Sequence, residues 1–83
     1  MSKEKPEAGD VWGKARYDVY ARILRDDLEF DGVPYVRIMY MERDEDKLNF
    51  FIETFTLEGF KRLRFKYLGK SKVSIKELFD VKD

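Results

Sequence analysis

Residues 49–68, NFFIETFTLEGFKRLRFKYL, constrain this chain more than any other stretch. Leu48, Phe50, Ile52 and Thr54 alternate with Asn49, Phe51, Glu53 and Phe55. A period of two, built from β-branched and aromatic residues, predicts a strand. Thr56 stands where a helix N-cap belongs, its hydroxyl positioned to accept a backbone N–H two or three residues on. Glu58 places a negative charge in the first turn, where the helix dipole favours it. Gly59 costs a helix about 1 kcal/mol relative to alanine, so a single turn is expected. Alternation resumes with Leu63, Phe65 and Tyr67 against Arg62, Arg64 and Lys66, which predicts a second strand with one apolar and one basic face.

The remaining segments are organised to match. Residues 1–8 are charged, contain Pro6 and read as a flexible arm. Neither a Gly/Ser linker nor an internal repeat follows, so residues 9–83 are expected to form one domain. Gly9-Asp10-Val11-Trp12 reads as a turn entering a short strand. Residues 17–25 alternate Tyr17, Val19, Ala21 and Ile23 against Asp18, Tyr20, Arg22 and Leu24, a second strand. Asp31-Gly32, between Phe30 and Val33, is a two-residue hairpin signal, because both turn positions want φ > 0. A tight hairpin there implicates a bulge at Asp26-Asp27, and a one-residue slip exchanges the two faces, so this register stays open. Residues 33–42 form the third strand, with Pro34 at an edge or ahead of the ladder. Val36, Ile38 and Tyr40 are expected to point inward, and Tyr35, Arg37, Met39 and Met41 outward. Residues 42–47 read as a solvated acidic loop. Ser74-Ile75-Lys76-Glu77 fits a capping box, and Ile75, Leu78 and Phe79 share a helical stripe. A short C-terminal helix over one open end of the sheet is predicted; a strand over residues 72–75 competes with it.

A chain of 83 residues buries only a little over about 60% of its unfolded surface, so it needs a dense core, and seven Phe, five Tyr and one Trp supply it. Cysteine and histidine are both absent. Disulfides and thiolate metal sites are thereby excluded, and the commonest acid–base residue is missing. Ser2, Ser71 and Ser74 lie in terminal or capping contexts, and there is no phosphate-cradling glycine loop. An enzyme is therefore not expected, and neither is a cofactor. Glu42-Arg43-Asp44-Glu45-Asp46 offers oxygen ligands but lacks the spacing and glycine of a calcium loop, so solvated charges are expected and no metal. With no spanning apolar run of about 18 residues and no signal segment, a cytoplasmic protein is expected.

Acids and bases balance at 17 each, yet they are segregated. Residues 26–58 carry ten acids against Arg37, Arg43 and Lys47; residues 61–76 carry seven bases and no acid. Lys61, Arg62, Arg64, Lys66, Lys70 and Lys72 form a basic patch. On a strand, alternate cations would project about 6.5 to 7 Å apart, near the spacing of phosphates along one nucleic-acid strand. Edge protection by cations and surface ion pairing are the plainer readings of the same residues. Apolar residues on the nominally outer faces, Tyr20, Leu24, Tyr35, Met39, Met41, Phe51 and Phe55, need cover from the C-terminal helix or from a partner. Tyr35, Met39, Phe51 and Phe55 are the expected protein-binding anchors, with Arg62, Arg64 and Lys66 supplying steering and specificity.

Five short strands, tight turns and a one-turn helix before the last strand predict a mainly β fold: a small, strongly bent, five-stranded antiparallel barrel. In this the chain resembles the Src-homology-3-like (Tudor-like) barrels. It is most similar in style to small phage and mobile-element proteins that open on a Gly-Asp-x-Trp-like turn and close on a Leu-x-x-Phe turn before a basic strand. Gly9-Asp10-Val11-Trp12 and Leu57-Glu58-Gly59-Phe60-Lys61 carry the resemblance, which spans residues 9–68. The proline-binding aromatic and acidic loop signature of the signalling members is missing, so proline-rich ligands are not implied. An aromatic cage for methyl-lysine would need aromatics at one barrel mouth. The surplus apolar residues predict a non-enzymatic binding module that occupies the surface of a larger protein, or a homodimer contact, and the resemblance implies a phage-type regulator or inhibitor of a host protein as its concrete form. The alternative is a nucleic-acid-binding barrel using the basic strand over residues 61–72. Neither a membrane nor a small-molecule substrate is expected.

Overall fold

A computed structural model describes residues 5–70. Strands β1 (Asp10–Lys14), β2 (Val19–Phe30), β3 (Val33–Asp44), β4 (Lys47–Thr56) and β5 (Lys66–Lys70) are joined by a 3-10 turn at Ala15–Tyr17 and helix α1 at Leu57–Arg62. All neighbouring strands run antiparallel in one sheet of order β4-β3-β2-β1-β5. The sheet is not closed. Its order ends on β4 and β5, and α1 carries the chain from one edge to the other.

Turn chemistry sets the register. Asp31 and Gly32 take φ of 51° and 78°, as a two-residue hairpin with the right-handed twist of its strands requires. The β2–β3 ladder then shifts twice, once between Ile23 and Arg25 and once between Arg25 and Leu28. The second shift spans Asp26-Asp27, where the tight turn demands a bulge; the first, at Leu24, is an additional one. Together they place Ile23 opposite Ile38, on the buried side. Pro34 opposes Glu29 in β2, and the β3–β4 ladder begins one residue later, at Tyr35↔Thr56. That ladder continues without a shift to Asp44↔Lys47 and closes on Glu45-Asp46, with Glu45 at φ 55°. The expected acidic loop is thus a tight hairpin, because pairing satisfies backbone groups that a longer loop leaves to water.

Opposed residues of an antiparallel pair share a face. One face collects Trp12, Ala21, Ile23, Val36 and Ile38, covered by Phe60 and Phe65 and flanked by Tyr40, Phe55, Leu57 and Leu63. Trp12 meets Phe60 and Tyr67 edge-on, each at 5.6 Å between ring centroids, and Phe60 meets Phe65 at 5.9 Å. The other face carries a second cluster, Val11, Tyr20 and Met41, with Met39 against it. Adjacent residues Val11 and Trp12 therefore feed opposite cores. Between Trp12 and Lys14, Gly13 lies opposite both Tyr20 and Lys66; a Cβ there would sit 2.6 Å from Tyr20 Cδ1 and 3.0 Å from Leu68 Cδ1.

The opening turn explains Gly9-Asp10. Gly9 has φ 90°, open to glycine at little cost, and its N–H donates to the Ile23 carbonyl at 2.9 Å. Asp10 is fully buried: its Oδ2 accepts the Glu7 N–H at 2.8 Å, and its Oδ1 lies 3.1 Å from Lys70 Nζ. Ala8 N–H donates to Asp26 Oδ2, and Pro6 is buried. The described part of the expected flexible arm, residues 5–8, is thus tied to the sheet by hydrogen bonds that its charged composition does not reveal.

Helix α1 corrects two expectations. Thr56 caps it as predicted, its Oγ1 accepting the Gly59 N–H at 2.9 Å. Gly59 does not end it, however; the helix runs six residues. Burying the Phe60 side chain is worth about 1.5–3 kcal/mol, more than the roughly 1 kcal/mol that glycine costs. The chain leaves through Arg64 at φ 59°, and β5 starts at Lys66 instead of continuing the alternation from Leu63. The predicted C-terminal helix and the competing strand over residues 72–75 lie outside the described residues.

Two stability measurements follow. Gly13→Ala should destabilise by about 1–3 kcal/mol in urea unfolding, because the buried Tyr20 ring has to give way. Thr56→Ala should cost about 1 kcal/mol, with Thr56→Ser close to the parent.

Candidate functional site

The four expected apolar anchors do not form one patch. Tyr35 and Met39 oppose Thr56 and Ile52, on the face of the Met41 cluster; Phe51 and Phe55 oppose Tyr40 and Val36, on the face of the Trp12 core. Parity is the reason. The two-residue Glu45-Asp46 turn sets each odd-numbered residue of β3 against an even-numbered residue of β4, so residues 35 and 39 cannot share a face with 51 and 55. Met39 and Phe55 are half-buried against their clusters, and Tyr35 stacks edge-on with Phe30 at 5.1 Å. Of the four, Phe51 alone is exposed. Tyr20 and Met41, also expected to face outward, are buried in the second core.

What the fold gathers instead is a run on β4. Leu48, Phe50, Phe51 and Ile52 are all exposed, Ile52 most of all at 64%. Leu48, Phe50 and Ile52 line one face opposite Arg43, Met41 and Met39, and Phe51 stands on the other. This strand has one neighbour among the described residues, β3, and none of them pairs with its outer edge, which runs beside large apolar side chains. The opposite edge is built differently. β5 is five residues long, bears Lys66 and Lys70, has Gly69 at φ 134° and meets β1 with a register shift. The alternation of residues 48–55 was readable from sequence; that β4 would be an edge was not, since it depends on the strand order.

The basic residues are dispersed in the same way. Lys61 and Arg62 occupy the last turn of α1, Arg64 the left-handed position after it, and Lys66 the start of β5. Lys70 is engaged by Asp10, and Lys72 lies outside the described residues. The expected row of Arg62, Arg64 and Lys66 on one strand is therefore not formed, because α1 takes up Arg62. Two of these cations acquire new company. Arg64 and Lys66 border a cleft of about 390 Å³ together with Lys14, Arg16 and Tyr17, where β1, the 3-10 turn and β5 converge. Lys14 and Arg16 lie far from the basic segment in sequence, and only the pairing of β1 with β5, which sets Gly13 opposite Lys66, brings them to it.

Elsewhere the charges are engaged in ordinary surface roles. Arg25 and Asp27 form an exposed pair at 3.1 Å; the Arg25 hydrogen bond and charge hold the Asp27 carboxyl below its usual range. Arg37 Nε donates to Thr54 Oγ1 across β3 and β4 at 3.2 Å. Among the described residues the acidic side chains form no group of three or more placed to hold a metal ion. No helix among them is long and apolar enough to cross a membrane. The Tyr40 phenol is shifted upward, first by burial and then by the charges of Glu42 and Glu53.

Comparison of the chain with known protein families, with curated proteins and with solved structures gives no match.

The Tyr40 shift gives a pH prediction. The folded state holds the phenolic proton more tightly than the unfolded chain, whose ordinary value is 10.0. The resulting stabilisation is complete below that value and is lost as pH rises through the higher folded one. Urea midpoints measured from about pH 9 upward should therefore fall more steeply for the parent than for Tyr40→Phe, the lysines titrating alike in both.

Proposed function

We propose that this protein is a non-enzymatic protein-binding module whose β4 edge accepts an extended segment of a larger partner by strand addition. A single observation carries the reading: a ten-residue edge strand exposing Leu48, Phe50, Phe51 and Ile52. Soluble proteins blunt such edges with charge, bulges or short strands, as β5 does; β4 has Lys47 at its start and Glu53 as its other charge. Exposure on both faces favours strand addition over docking on one face. An added strand sends its side chains alternately to both sides of the sheet, where Phe51 meets one row and Phe50 with Ile52 the other. Main-chain hydrogen bonds supply affinity, and the apolar rows select alternate side chains of the incoming segment.

The mode is steric: a partner segment held on β4 is unavailable for anything else. Together with the resemblance to small phage-type barrels, this supports a regulator or inhibitor of a host protein. The strand order supports the Src-homology-3-like reading of the fold, since the fifth strand returns beside the first after a short helix. Completion of a bent barrel belongs to the same proposal.

Selection of extended peptides from a display library, followed by hydrogen exchange on the complex, tests the edge. Selected peptides should alternate apolar residues and protect the amides of β4 but not those of β5. Ile52→Lys should abolish binding while changing folding stability by no more than about 0.5 kcal/mol. Protection elsewhere, or binding indifferent to Ile52→Lys and Phe50→Lys, would remove β4 from the account. Sedimentation showing a dimer that Ile52→Lys dissolves would replace the foreign segment with a second copy of the chain.

A further inference from the structure

We infer that the cleft between β1, the 3-10 turn and β5 is a binding site for single-stranded nucleic acid, its cations holding backbone phosphates and Tyr17 stacking on a base. Lys14, Arg16, Arg64 and Lys66 surround a volume of about 390 Å³, and none of the described residues lining it is acidic. In a chain with 17 acids and 17 bases this is not a consequence of composition. Arg16, Arg64 and Lys66 at one concavity repel one another, and low-dielectric walls focus their field outward onto an anion. Gly13 and Leu68 supply such a wall.

The two kinds of contact a single strand needs are both present. Phosphates are met by guanidinium and ammonium groups, the guanidiniums pairing two oxygens at once. Tyr17 is 63% exposed, with the Arg16 guanidinium 5.8 Å from its ring centroid, so a planar aromatic and a planar cation stand together at the rim. This pairing is what sequence-tolerant base stacking uses, and an acidic peptide would leave the ring without a partner. Lys14 Nζ lies 5.4 Å from the centroid of Phe65, on the core face of the sheet, so the phosphate contacts fall to Arg16, Arg64 and Lys66. Arg64 takes φ 59°, a left-handed conformation that an arginine rarely adopts. The cleft size falls within the range of small-ligand sites, about 300–1,000 Å³. The site is separate from the β4 edge, at the other end of the strand order.

Fluorescence anisotropy of the full chain decides it, with labelled oligothymidylate of about eight nucleotides, a duplex of equal length and polyglutamate as probes. Oligothymidylate should bind best, with a slope of log affinity against log salt of about −2, since three neutralised phosphates contribute about −0.7 each. Tyr17→Ala should weaken binding about 5- to 100-fold, and Tyr17→Phe should restore it. Arg64→Gly suits the left-handed backbone, so it should keep or raise the unfolding midpoint while reducing the salt slope by about 0.7. The pair Lys61→Gln/Arg62→Gln on α1, outside the cleft, should change affinity by less than about twofold. Lack of saturable binding at low salt would overturn the assignment. So would tighter binding of the duplex, equal binding of polyglutamate, or a loss from the α1 pair as large as that from Arg64→Gly.

Discussion

Trp12 sits where two ladders meet, and the rest of the sheet depends on that junction. Its backbone pairs with Ala21 on one side and Tyr67 on the other, while its ring takes Phe60 from the helix and Tyr67 from the last strand edge-on. Ala21 leaves room for the indole, and Phe60 covers it. The one-residue neighbours of Trp12 extend the effect: Val11 enters the opposite core, and Gly13 lets the Tyr20 ring lie against the strand. Asp10, buried beneath the opening turn and joined to Lys70, ties the start of β1 to the end of β5.

That junction also determines how the sheet presents itself. With β5 drawn against β1, the two ends of the strand order have unlike characters. One is short, cationic and irregular; the other is long, regular and apolar. On the long edge, which has no strand beyond it among the described residues, exposed apolar side chains stand on both faces. The same junction brings Lys14 and Arg16 beside Arg64 and Lys66, so a cleft lined by basic residues arises at the opposite end without a basic run in any one strand. One small sheet thus carries two surfaces of different chemistry at its two ends.

Much of the local structure was legible because it rests on short-range chemistry. The Asp31-Gly32 turn, the Thr56 cap, the inward set Val36 and Ile38, and the bulge at Asp26-Asp27 all follow from backbone preferences or alternation within a few residues. The departures from local alternation share a cause as well. Outward placement alone groups Tyr35 and Met39 with Phe51 and Phe55, because the parity of the Glu45-Asp46 hairpin cannot be seen in either strand alone. Arg62 belongs to α1 and not to a strand because the burial that Phe60 gains outweighs the cost of Gly59.

Sequence by itself determined that this is a mainly β chain with one short capped helix, lacking the residues for disulfides or histidine chemistry, and with more large apolar side chains than a one-sided sheet can bury. Tertiary structure decided which of those side chains remain in solvent and which cations stand together. The physical reason is that burial and field strength depend on the order and pairing of strands. A residue's own neighbours set its direction along the chain, whereas the strand lying beside it decides whether water reaches it.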